Sequence, residues 1–177
     1  MSLSGKQGAG SLYTLEKDHN LVLKIPGVTV SNGLAWSPDN STFYFIDSAT
    51  HQIAAFDYDI ETGNLSNKKT VVTIPIEMGK PDGMTIDTEG MLWVALWNGN
   101  CVARWNPYTG ELLQQVKLPV AQVTSCTFGG NDLQHLFVTT AKVGLSEAEM
   151  EKQSLAGSVF VIENIGVKGL PAVLFKD

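Results

Sequence analysis

The chain has 177 residues, of which 44% are hydrophobic and 17% are charged, so it can form one folded domain or a large part of one. Its formal net charge of −6 disfavours nucleic acid and anionic membranes as partners. No apolar run approaches the roughly 18 residues of a membrane helix. The two cysteines, Cys101 and Cys126, are too few for a disulfide framework, so we expect free thiols and a cytoplasmic protein.

The start of the chain is small and mostly polar, and we predict a disordered leader over residues 1–9 and a folded region over residues 10–177. Two strand-like runs follow the leader, at Gly10–Leu15 and Leu21–Ile25. We interpret them as the outer two strands of a first structural unit.

The next part of the chain is a series of repeats. One unit begins around Asn32, a second begins around Asp82, 50 residues later, and a third, more degenerate unit begins around Ser125. Within each unit, β-branched and aromatic residues alternate with small or polar ones, as at Phe43 and Phe45, and turn residues separate the runs. Repeats of about 40–50 residues with four short strands each predict a β-propeller.

One segment of the third unit departs from this strand pattern. Ser146 and Glu149 match a capping box, and Leu145 and Met150 match a hydrophobic staple. We therefore predict a short helix over roughly residues 147–153, inserted in a loop as a lid or rim feature rather than as part of the core.

The repeats add up to an all-β fold of about three to three-and-a-half propeller blades. Such an arc cannot close on itself, and its first and last blades each expose a flank that is prone to association. The open arc is the main anomaly of the sequence.

Several motifs make the relationship of these repeats more specific. The segments Val30–Ser37, Pro81–Met84, Thr124–Gly130 and Gly166–Gly169 resemble, in order, motifs of the senescence-marker-protein-30 family, which includes regucalcin and gluconolactonase. The resemblance extends from about Gly10 to the C-terminus. It implies a six-bladed propeller of which this chain covers only the C-terminal part.

The resemblance also implies a metal site. Family members hold a single divalent cation at the centre of the propeller, and two of its ligands match Asn32 and Asp82 here. A third ligand, a glutamate near the family's N-terminus, has no match, nor do the family's substrate-binding arginine and asparagine. Oxygen ligands suit Ca²⁺ or Mg²⁺ and accept Mn²⁺ or Zn²⁺. The alternative is that both residues cap tight turns, since Asn-Gly and Asp-Gly are turn dipeptides.

In the mechanism that the resemblance implies, the cation polarises the carbonyl of a sugar lactone and stabilises the oxyanion that forms. Asp82 is then both a metal ligand and the candidate catalytic base. Other candidates are Ser125 as a channel-lining residue, Cys126 as a thiol or a small buried residue, and Trp97 as a ligand contact. The three histidines form no zinc-protease pattern.

Three functions remain open from the sequence. The first is a metal-dependent sugar-lactone hydrolase whose site is incomplete in this chain. The second is a non-catalytic calcium-binding protein. The third is a truncated propeller that forms a homodimer and so completes the ring.

Overall fold

The computed structural model describes residues 6–175 and contains mainly short antiparallel strands. The strands are β1 (Gly10–Leu15), β2 (Leu21–Val28), β3 (Ser31–Trp36), β4 (Thr42–Asp47), β5 (Gln52–Asp59), β6 (Asn64–Thr73), β7 (Lys80–Ile86), β8 (Leu92–Trp97), β9 (Cys101–Trp105), β10 (Leu112–Lys117), β11 (Val123–Gly129), β12 (His135–Thr140) and β13 (Val159–Ile162). One α-helix, α1 (Glu147–Lys152), and two 3₁₀ turns, Ser48–Thr50 and Ile76–Met78, complete the described part. No helix within residues 6–175 is long and apolar enough to cross a membrane.

The strands form four sheets in which consecutive strands pair as antiparallel neighbours. The first sheet is β1-β2, the second is β3-β4-β5-β6, the third is β7-β8-β9-β10, and the fourth is β11-β12-β13. This arrangement confirms the predicted partial propeller, including the two outer strands at the start and the degenerate last unit. The predicted helix is also confirmed.

The predicted leader lies partly outside the described residues, which begin at Lys6. Residues 7 and 8 form a turn, and the Gly8 backbone N–H donates to Thr29 Oγ1 at 3.1 Å. The disorder of residues 1–9 stays a prediction.

The central strands are buried on both faces. On β4, Phe43 and Phe45 pack into the core between the first and second sheets, while Tyr44 and Ile46 pack into the core between the second and third sheets. The expected alternation of large apolar residues with small or polar ones is therefore wrong for this strand. A strand whose sheet lies between two other sheets needs apolar residues at every position.

The first strands of the last three sheets, β3, β7 and β11, lie side by side, with β3 against β7 and β7 against β11. Two glycines permit this close approach. A Cβ atom at Gly33 would lie 2.5 Å from the Cβ of Met84, and one at Gly83 would lie 2.5 Å from the Cβ of Ser125. The inner strands of neighbouring blades therefore meet with almost no space between their backbones, directly beside Asn32 and Asp82.

Candidate metal and lactone site

Asn32 and Asp82 occupy equivalent bulges near the beginning of β3 and β7. In β3, Ser31 pairs with Asp47 and Leu34 pairs with Phe45, so β3 has one residue more than its partner over this stretch. Pairing in β7 shows the same shift between Pro81 and Met84. Both residues lie within these strands rather than in tight turns. The bulge turns each side chain out of the regular strand pattern.

The structure brings these two predicted residues into contact across neighbouring blades. Burial raises the pKa of the Asp82 carboxyl to about 6, and a hydrogen bond from the Asn32 side chain acts in the opposite direction and lowers it. Burial dominates because a half-buried carboxylate loses water that would otherwise solvate its charge. Asp82 therefore changes its charge close to neutral pH when no cation is bound.

Ser48 is a member of this cluster that sequence reasoning did not assign to the site. Its side chain is buried; the Asn32 amide Nδ2 donates to its Oγ at 2.9 Å, and that Oγ donates to the Pro81 carbonyl at 2.5 Å. Ser48 thus links the Asn32 side chain to the backbone next to Asp82. The only sequence signal for it was its place in the Ile46-Asp47-Ser48 stretch that resembles the family.

The position of Ser125 differs from the prediction. Val123 pairs with Thr140 and Ser125 pairs with Thr139, so the extra residue of β11 is Thr124. Thr124 therefore holds the position of Asn32 and Asp82, and Ser125 holds that of the glycine that follows each. The sequence comparison missed this one-residue offset because the third repeat lacks the glycine that marks the bulge in the other two.

Two other candidates have distinct environments. Cys126 is buried, its Sγ donates to the Trp93 carbonyl at 3.3 Å, and burial raises its pKa to about 12, so it is an inert core thiol. Trp97 is partly exposed and lies opposite Lys80 at the same end of the third sheet as Asp82. Its role as a ligand contact stays a prediction.

The donor set fits part of a cation site. Within residues 6–175, no group of three or more His, Cys, Asp or Glu side chains is placed to hold a metal ion. Asn32 and Asp82 offer an amide oxygen and a carboxylate, the hard donors that Ca²⁺ and Mg²⁺ prefer. Ca²⁺ takes about six to eight oxygen ligands, so this pair can supply only a fraction of a complete shell.

The inserted helix α1 lies at the same end of the fold as these residues, because β12 ends and β13 begins at the end where β11 starts. Its capping box is formed: Glu149 N–H donates to Ser146 Oγ at 3.4 Å, and Ser146 N–H donates to Glu149 Oε2 at 2.8 Å. Gln153 Oε1 accepts from the Ala121 N–H at 2.6 Å and anchors the insert to the loop before β11. The insert is therefore a rim feature, as predicted.

Residues 1–142 match the family described as the SMP-30/Gluconolactonase/LRE-like region. The chain belongs to this family. A regucalcin from Danio rerio is 50% identical over 161 residues, which are 91% of this chain and 55% of that protein. This SMP-30/gluconolactonase relationship confirms the resemblance noted in the motifs.

Solved structures of family members have the same fold. A calcium-binding protein, regucalcin from Agrobacterium tumefaciens, superposes with a TM-score of 0.93 at 26% identity, covering 99% of this chain and 59% of that one. A luciferin-regenerating enzyme superposes with a TM-score of 0.86 at 37% identity, covering 96% of this chain and 58% of that one. This chain therefore spans a little over half the length of these relatives.

Proposed function

We propose that this chain carries part of the site of a metal-dependent sugar-lactone hydrolase of the SMP-30/gluconolactonase family. The observation that supports the proposal is the contact between Asn32 and Asp82, two oxygen-bearing side chains that equivalent bulges bring together on neighbouring inner strands. The acidic net charge of −6 favours a small neutral substrate over nucleic acid. The two buried free thiols support a reducing, cytoplasmic location.

In this proposal Asn32 and Asp82 hold a divalent cation, Ca²⁺ by preference, with Zn²⁺, Mg²⁺ and Mn²⁺ as alternatives. When bound, the cation supplies Lewis-acid polarisation of the lactone carbonyl. Ser48 orients the Asn32 side chain by accepting a hydrogen bond from its amide N–H, which leaves the amide oxygen available as a metal ligand. Asp82 is also the candidate base for the attacking water; burial raises its pKa to about 6, and a bound cation would lower that pKa and weaken Asp82 as a base.

Metal-dependent hydrolysis of gluconolactone tests this function. The chain, an Asp82→Ala variant and an Asp132→Ala control are compared with Ca²⁺, Mg²⁺, Mn²⁺ or Zn²⁺ added. Asp132 is an exposed aspartate in the turn between β11 and β12, at the opposite end of the fold. We expect Asp82→Ala to reduce the rate by about 100-fold or more and the control to leave it unchanged. Absence of turnover in the parent chain with every metal contradicts the proposal for this chain.

A second candidate is calcium binding without catalysis. The small number of ligands in the described residues favours it, because one carboxylate and one amide provide neither a full shell nor the substrate-binding residues. Calorimetric titration with CaCl₂ distinguishes the two functions. Binding that Asp82→Ala abolishes, in a chain that hydrolyses no lactone, supports this second function.

A further inference from the structure

A cavity of about 190 Å³ lies between the first and second sheets. One wall consists of residues 25–28 of β2, and the other consists of side chains of β4, β5 and β6. We call this cavity the β2 groove. None of the described residues that line it belongs to the inner strands β3, β7 or β11, so the β2 groove is distinct from the Asn32–Asp82 pair.

The floor of the β2 groove is apolar and partly aromatic. Phe45 of β4 and Phe56 of β5 are both buried, and Ala54, which pairs with Phe45, lies on the same face. Ile25 and Val28 of β2 pack against the same hydrophobic cluster. Covering such a surface with an apolar ring is favourable, because apolar area on both partners is removed from water. The floor therefore favours a ligand that carries an apolar ring.

Asp47 closes the β2 groove at the end of β4. Its Oδ2 accepts from the Thr29 N–H at 2.9 Å, and its Oδ1 accepts from the Val30 N–H at 2.8 Å. A third backbone N–H, from Ala49, reaches the same Oδ1 at 3.3 Å. These charge-assisted hydrogen bonds compensate the carboxylate and hold the chain that leaves β2 against the second sheet. Asp47 is therefore occupied as an acceptor.

Two other polar side chains of the β2 groove offer donors without acceptors. Thr70 Oγ1 donates to Gln52 Oε1 at 3.0 Å, which fixes the amide oxygen toward β6, and Gln52 Nε2 forms no hydrogen bond within residues 6–175. Lys68 Nζ lies 6.0 Å from the centroid of the Phe56 ring and forms no ion pair within the same residues. An ammonium and an amide nitrogen thus stand beside an aromatic floor with their protons free.

This balance of donors and acceptors distinguishes between classes of ligand. A cation or an amine needs acceptors, and the carboxylate of Asp47 and the amide oxygen of Gln52 are already engaged. A neutral apolar molecule would leave the Lys68 ammonium without an acceptor. A carboxylate presents two oxygens, which can accept from the two free nitrogens. Since the whole chain has a net charge of −6, the β2 groove is a local exception on an acidic protein.

We propose that the β2 groove binds a small carboxylate that carries an apolar ring. The carboxylate accepts from Lys68 Nζ and Gln52 Nε2, and the ring lies on Phe45 and Phe56. An apolar cavity of about 150 Å³ is enough to hold benzene, so about 190 Å³ accommodates a six-membered ring with one carboxylate. The site involves no residue of the Asn32–Asp82 pair and no bound cation, and it does not depend on the proposed hydrolase.

Nuclear magnetic resonance titration with benzoate tests the site. In the ¹⁵N-labelled chain, benzoate is expected to shift the backbone amide signals of Gly27, Val28 and Ala54, with a Kd on the order of 1 mM for so small a ligand. Benzamide keeps the ring and lacks the charge, and acetate keeps the charge and lacks the ring. Each of these two probes should bind at least about tenfold more weakly than benzoate, because each loses one half of the recognition.

Two neighbouring lysines of β6 provide a matched pair of variants. Lys69 pairs with Ala55, whose side chain lies in the core shared with the third sheet, so Lys69 is on the opposite face of β6 from the groove. Lys68→Met is expected to weaken benzoate binding about fivefold, whereas Lys69→Met makes the same change of charge and should leave it unchanged. Gln52→Glu replaces the amide donor by a second carboxylate and should abolish binding. Circular dichroism checks that each variant is folded.

The proposal is overturned if about 20 mM benzoate shifts none of the groove signals, if benzamide binds as tightly as benzoate, or if the two lysine variants have equal effects. Asp82→Ala is expected to leave the Kd for benzoate unchanged, because Asp82 does not line the β2 groove. A Kd that Asp82→Ala raises would place benzoate at the candidate metal and lactone site and contradict the proposal. Benzoate binding and lactone hydrolysis are measured separately, so failure of the groove and failure of the proposed function are distinguishable.

Discussion

At the scale of single residues, the site is organised around a carboxylate that the fold does not stabilise. Asp82 is half-buried, and a hydrogen bond from Asn32 only partly offsets the loss of hydration. Its charge therefore costs folding free energy in the absence of a counter-ion. A residue of this kind suits a cation site, because a bound cation removes the cost.

The pH dependence of folding measures this cost. Because the pKa of Asp82 is about 6 in the native state and 3.8 for an ordinary aspartate, the native state retains the Asp82 proton at pH values where the unfolded chain has lost it. The contribution of the Asp82 carboxyl to the free energy of unfolding is therefore lost as pH rises from about 4 through 6. Relative to Asp82→Asn, we expect the metal-free parent to lose about 1 kcal/mol between pH 4 and pH 7, after allowance for solvent screening. Urea unfolding of both chains at several pH values measures this difference in the free energy of unfolding. A difference that does not change with pH contradicts the raised pKa of Asp82.

Asp87 illustrates the opposite case, a buried carboxylate whose partners are all present. It is fully buried and accepts from Trp93 Nε1 at 3.0 Å, from Arg104 Nε at 2.8 Å and from two backbone N–H groups of the turn after β7. Its role is structural, since it joins the turn, the core tryptophan and the neighbouring strand β9.

Removal of the Asp87 side chain should therefore destabilise the fold. We expect Asp87→Ala to lower the free energy of unfolding by about 3–5 kcal/mol, because it leaves Arg104 Nε, the buried Trp93 N–H and two backbone N–H groups without their acceptor. Glu89→Ala is the matched control: Glu89 contacts the same arginine at 2.6 Å but is exposed, so its loss should cost under about 1 kcal/mol. Equal effects of the two substitutions in chemical denaturation would show that burial is not decisive here.

At the scale of elements, the packing of inner strands depends on glycine. We expect Gly83→Ala to destabilise the chain by about 1–3 kcal/mol, because the new methyl group meets Ser125 of β11. Ser125→Gly removes the nearest side-chain atoms, so the double variant should recover part of the loss. A double-mutant cycle by urea unfolding measures the coupling between the two positions. Purely additive effects would mean that the strands do not approach as closely as described.

The elements themselves were largely predictable from local signals. The capping box of Ser146 and Glu149 identified α1, and the repeat spacing identified the inner strands with Asn32 and Asp82. Features that depend on neighbouring blades were not predictable in the same way. Tyr44 is buried because a third sheet covers it, and Ser48 joins the site through a contact with Pro81, 33 residues away. The bulge at Thr124 changed the alignment of the third repeat without a sequence mark.

At the scale of the whole molecule, residues 165–170 connect separate sheets at the end opposite the candidate site. Gly169 N–H donates to the Leu133 carbonyl at 2.9 Å, and Thr88 N–H donates to the Lys168 carbonyl at 2.8 Å. Ile165 is buried between the third and fourth sheets, and Leu170 packs against the core between the second and third. The segment therefore ties three sheets together by backbone and apolar contacts.

Truncation tests whether this segment stabilises the arc. A chain ending at Asn164 loses the buried Ile165, the partly buried Leu170 and both backbone contacts, whereas a chain ending at Pro171 retains them and loses the exposed Val173, Leu174 and Phe175. Burial of two aliphatic side chains contributes about 3 kcal/mol, so the shorter chain should melt about 10 °C lower and the longer one close to the parent. Thermal unfolding followed by circular dichroism measures both. Equal melting temperatures for the two truncations would mean that each sheet is stabilised by its neighbours alone, and that the segment crosses the arc without supporting it.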